Sequence, residues 1–171
     1  MKKFVSSLTF VAAVCLPFTT QAAEPERIAE VAKRGADVMP FDLKATTHAF
    51  TKTDVGGVQG VVAKDPGDQV QVDLVRKHLK DIQTQFTKGD FSGPSHIHGQ
   101  DMPGLAQLQA AKPGQVKITY ADVPGGAQVT YSTSAPELVA ALHSWFDAQL
   151  SDHGADAMAG HHHDHGAMLK P

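Results

Sequence analysis

Two segments of the chain carry the same order of signals, and this doubling constrains the fold more than any single motif. In the first, "TTHAFTKTDVGGVQGVVAK" holds two β-prone runs, Thr46 to Thr53 and Val58 to Lys64, around Gly56-Gly57. That is a hairpin signal. After the breaker "DPGD", Val75, Leu79, Ile82 and Phe86 recur at steps of 4, 3 and 4, the period of an amphipathic helix. Gly89 stops it. In the second, "GQVKITYADVPGGAQVTYST" has two β-prone runs around Gly125-Gly126. "SAPELVAALHSWFDAQL" follows as a helix, with Ser134 at the N-cap, Pro136 in the first turn and a stripe of Leu138, Leu142, Trp145, Phe146 and Leu150. The letters also match: "GGVQ" at 56–59 with "GGAQ" at 125–128, and residues 73–86 with 137–150.

A lone hairpin is only marginally stable. Two hairpins in one sheet, with both helices on one face, enclose a core. The pattern therefore predicts a two-layer α+β domain: a four-stranded antiparallel sheet from two ββα pseudo-repeats. The units span about 45–88 and 114–151, within a single domain over 24–152. A helix over Glu24 to Asp37, ended by Met39-Pro40, precedes them. The link 89–113 reads as an ordered loop with a short helix starting at Met102. From residue 153 periodicity is lost, and 153–171 reads as a disordered, His-rich tail.

The start reads as a secretory signal peptide over 1–23: Lys2 and Lys3, a mainly apolar run from Phe4 to Phe18, and small residues around Ala22. Its removal implies a periplasmic protein and takes the formal charge from -3 to -5. A mildly acidic domain has no general attraction for nucleic acid. No later segment is apolar and long enough to span a membrane. The only cysteine, Cys15, lies in the signal segment, so the mature chain has no disulfide and no thiolate. A metal site must then use His, Met, Asp, Glu or backbone oxygen.

The histidines are the chemistry-bearing residues. Of 10, two lie in "GDFSGPSHIHGQDMPG" as His96 and His98. On extended backbone these would point the same way and suit two ligands on one ion, with Met102 adding a thioether. Loop histidines bonded to backbone carbonyls are the structural alternative. His48, His78 and His143 each fall beside an apolar face and could converge on the same centre; separately, each reads as a packing histidine. The tail adds His153, His161, His162, His163 and His165, a flexible set suited to Cu, Zn or Ni.

"THAFTKTDVGGVQGVVAKDPGD", "GDFSGPSHIHGQDMPGLAQL" and "ALHSWFDAQLSDHGADAM" together look like a family of small exported bacterial proteins, over nearly all of the mature chain. The resemblance implies export and a shared fold, and no established activity. Some members go by the name aspartate carbamoyltransferase. That name does not fit: such enzymes are longer and cytoplasmic, with a Ser-Thr-Arg-Thr phosphate loop and a His-Pro motif, neither of which occurs here. The expectation is a periplasmic binder of copper or zinc, serving metal tolerance or delivery. The alternatives are a small enzyme with a His-centred site at the junction of the two units, and a partner-binding protein using the free sheet face, with Phe50, Tyr120 and Tyr131 on strands.

Overall fold

The computed structural model describes residues 25–160. Residues 1–23, read above as a signal peptide, and His161, His162, His163 and His165 lie outside the described residues. Helix α1 (Pro25–Val38) leads into strands β1 (Thr46–Thr53) and β2 (Gly56–Ala63), then helix α2 (Gln69–Thr87). Two short helices, α3 (Ser92–His98) and α4 (Leu105–Ala110), form the link. Strands β3 (Lys117–Val123) and β4 (Gly126–Ser132), helix α5 (Pro136–His153) and a short strand β5 (Ala157–Ala159) complete the chain. The sheet order is β3-β4-β2-β1-β5.

The two hairpins join through β2 and β4, which run antiparallel with Gln59 opposite Val129 and Val61 opposite Ala127. The side-chain period of two then puts one continuous set inward. Thr46, His48 and Phe50 come from β1, Gln59, Val61 and Ala63 from β2, and Ala127, Val129 and Tyr131 from β4; all are buried. The opposite face, with Thr47, Ala49, Thr51, Val58 and Thr130, is half-exposed. Phe50 and Tyr131 thus belong to the covered face, and Tyr120 also packs on the core. Helix α2 packs mainly on β4 and β3, and α5 on β2 and β1. Each helix therefore covers the hairpin of the other unit, which makes the two units one core.

The letter match between the units is one residue out of register in both places. The hairpin turns are Asp54-Val55 and Pro124-Gly125, so Gly56 corresponds to Gly126 and Gln59 to Val129. A one-residue slip exchanges the faces of a strand: Gln59 points inward and Gln128 outward. The buried stripe of α5 is Leu138, Leu142, Trp145 and Gln149, at the 4, 3, 4 steps of Val75, Leu79, Ile82 and Phe86 in α2. Gln149, not Leu150, therefore stands where Phe86 does.

The α+β class and the helix-covered sheet agree with the reading of the chain. The four-stranded, wholly antiparallel sheet does not, because β5 adds a fifth strand parallel to β1. Residues 153–160 are accordingly not a disordered tail. Gly154 (φ +54) turns the chain at the end of α5, and β5 then pairs with an edge that would otherwise leave backbone groups of β1 free. The Gly160 N–H donates to the Phe50 carbonyl at 2.9 Å. A three-residue strand is too short to carry a periodicity signal. The predicted loop around His96 and His98 is helix α3, closed by Gly99 at φ +90. The N-cap of α5 is Ala135 rather than Ser134.

Gly104 fixes the seat of α4 on α5. Its φ is +78, and a Cβ there would lie 2.0 Å from the Ala141 carbonyl oxygen. Gly104→Ala is expected to cost about 2 kcal/mol or more, seen as a lower urea midpoint with an unchanged slope.

Candidate functional site

Four histidines from four elements line one cavity of about 50 Å³ between α2 and α5: His48 of β1, His78 of α2, His98 of α3 and His153 of α5. His48, His98 and His153 are buried, at 2%, 4% and 8% exposure. His48 is inward because it shares the pleat of Thr46 and Phe50. His98 and His153 are the last residues of their helices. The His48 and His153 rings stack with centroids 4.8 Å apart, 11° from parallel. His98 meets His153 edge-on at 5.2 Å. The Phe41 ring packs against His78 at 5.5 Å and His48 at 5.9 Å.

An ion pair holds the outer wall. His98 Nδ1 lies 2.8 Å from Asp152 Oδ2. Arg27 of α1 donates to both Asp152 oxygens, at 3.2 and 2.7 Å, and to the His98 carbonyl at 2.6 Å. An ionised carboxylate only accepts hydrogen bonds, so His98 carries a proton on Nδ1. Burial alone would raise the Asp152 carboxyl; the hydrogen bonds from His98 and Arg27 outweigh it and hold its pKa at about 2. Burial pushes the imidazoles the other way. His153 falls from 6.5 to about 4, by desolvation and then by the nearby His98. His78 falls to about 4, chiefly by desolvation. His48 is lowered well below 6.5 by desolvation and its histidine neighbours, against a weaker pull from the Asp156 backbone. These three are neutral at pH 7.

Three buried polar atoms have no partner among the described residues: His48 Nδ1, Trp145 Nε1 and Gln149 Oε1. All three residues line the same cavity. Unpaired buried polar atoms are costly and rare, so their concentration at one place singles out this cavity as the candidate site. The neighbouring Gln59 differs, since its Oε1 accepts from the Tyr131 hydroxyl at 2.8 Å.

The sequence-derived ligands divide sharply. His48, His78 and His98 converge, and His153 joins them. His96 does not: two residues apart on a helix means about 200° of rotation, and His96 is exposed, with Nε2 3.3 Å from Asp37. The extended-backbone pairing of His96 with His98 is thereby corrected. His143 holds a turn instead, its Nε2 3.0 Å from the carbonyls of both Thr53 and Gly56. Met102 is buried and lines a separate outer recess with Arg27, His98 and Asp152. Reasoning from sequence missed Arg27, Asp152, Trp145 and Gln149. The one available signal was the polar Gln149 at the fourth place of an otherwise apolar 4-3-4 stripe.

Among the described residues, no three His, Asp or Glu side chains already stand in metal-site geometry, and no helix is long and apolar enough to cross a membrane. No family model, curated protein or solved structure matches the chain. Function therefore has to be argued from the cavity.

The depressed imidazoles make stability pH-dependent. Their folded-state values lie below the ordinary 6.5, so the unfolded chain binds more protons as pH falls below 6.5. Stability should be full above pH 6.5 and fall between 6.5 and about 4. The slope is about 1.4 kcal/mol per pH unit for each histidine. Asp152 acts lower, between 3.8 and about 2. Urea unfolding at pH 7, 6, 5 and 4.5 measures the slope, and His78→Leu should flatten it by one histidine's share.

Proposed function

We propose that the protein is a periplasmic transition-metal binder that takes one copper or zinc ion at His98, His153 and His48. The observation supporting this most is the clustering of three buried imidazoles at one small cavity, with His98 oriented through Nδ1 by Asp152. A carboxylate on one ring nitrogen sets the tautomer and leaves Nε2 as the ligand, a common arrangement around metal-bound histidine. Neutral imidazole is the ligating form, and burial keeps His48 and His153 neutral at pH 7. The stack holds these two rings nearly parallel, so one must turn for both to share an ion.

Within the inner cavity, size favours an ion over an organic substrate. Ligand pockets for such molecules run to about 300–1,000 Å³, against about 50 Å³ here. A second reading, acid–base catalysis by the His98–Asp152 pair, is favoured by that hydrogen bond and by the outer recess of about 420 Å³ that both residues line. Under the metal reading, His161, His162, His163 and His165 are an outer set that captures ions loosely, and Met102 a thioether at the approach past His98.

Trp145, the chain's only tryptophan, lines the cavity and reports on it. Copper(II) titrated into the full chain should quench its fluorescence at one equivalent. His98→Gln and His153→Phe should each weaken quenching at least tenfold, while alanine at His161, His162, His163 and His165 together should leave it. The opposite pattern, with quenching lost only in the tail variant, would overturn the assignment.

A further inference from the structure

The two remaining unpaired atoms point to what sits beside the ion. Trp145 Nε1 can only donate a hydrogen bond and Gln149 Oε1 can only accept one. Both lack partners, and both residues line the cavity next to the imidazoles. Trp145 is 0% and Gln149 5% exposed. A metal ion alone cannot satisfy both, because the indole N–H of Trp145 repels a cation and needs an accepting group. A molecule that accepts from Trp145 and donates to Gln149 satisfies both, and water is the smallest that does so. A water needs about 10–15 Å³, so about 50 Å³ leaves room for one next to an ion.

Resting on the metal reading above, we propose that Trp145 and Gln149 form a subsite for a solvent ligand, and that the ion held by His98, His153 and His48 keeps its fourth coordination position open to exchange. Structural zinc sites are closed by four protein ligands, whereas three protein ligands and a water mark an open site. The subsite therefore assigns this centre to the open class. Its exchangeable ligands are small, hydrogen-bond-accepting species of water or hydroxide size, including small anions.

Azide is the probe, added to the copper(II)-loaded full chain and followed by the azide-to-copper charge-transfer absorption, with copper content measured on every sample. Wild type should develop the band with a saturable azide dependence. Trp145→Phe removes the donor and should weaken azide about tenfold, the worth of one buried hydrogen bond. Gln149→Leu removes an acceptor facing the anion and should strengthen azide by a few-fold. Opposite signs are diagnostic, because simple loss of packing moves both variants the same way. Copper bound without an azide band would mean a closed centre and overturn this inference alone. A band changed in the same direction, or not at all, by both substitutions would remove Trp145 and Gln149 from the subsite. Failure to bind copper through His98, His153 and His48 would overturn the metal reading itself.

Discussion

The pairing of β2 with β4 is the interaction on which everything else rests. Each hairpin alone would be a marginal, two-sided ribbon. Joined along β2 and β4, they offer one continuous apolar face wide enough for two helices. Because α2 crosses to the second hairpin and α5 to the first, neither unit can bury its stripe without the other. The aromatic cluster of Phe86, Phe91, Tyr131, Trp145 and Phe146 sits where the two helices meet, with ring centroids 4.4–6.4 Å apart. The cavity opens at the margin of that cluster, where Gln149 interrupts the stripe of α5.

Those interruptions have a cost. Three unpaired polar atoms, three imidazoles held neutral by burial and an Asp152 ion pair occupy positions where apolar residues would pack better. The corresponding place on α2 is filled by Phe86. The other end of the same core packs Leu, Val, Phe and Trp without such interruptions. The Arg27–Asp152–His98 ion pair also ties α1, α3 and α5 together, so the wall of the site is part of the architecture.

Much of the fold was legible in the chain. The 4-3-4 stripe of α2, the glycine-marked hairpins and the order of elements are local signals, and they appear where expected. The internal repeat was legible too, but letter identity misaligned it by one residue. Burial, not identity, decides which residues correspond, and a shift of one exchanges the faces of a strand. The short elements were illegible for a different reason. Helix α3 has seven residues and β5 three, less than is needed to establish a period, and both form because a neighbouring surface holds them. The site suffered most from this, since His98 and His153 end α3 and α5 beside those short elements.

By itself, the sequence determined the chemistry on offer: a chain whose single cysteine is Cys15, rich in histidine, with two amphipathic helices and two hairpins that must share a core. Periodicity is a property of a few consecutive residues, so it survives without tertiary context. Which histidines meet was decided only in three dimensions. His48, His98 and His153 are separated by 50 or more residues along the chain. They come together because sheet pairing and helix ends carry them to one cavity. His96, two residues from His98, is turned away by two helical steps of about 100° each. Proximity in the chain and proximity in space part at this point, because side-chain direction follows backbone conformation and not spacing alone.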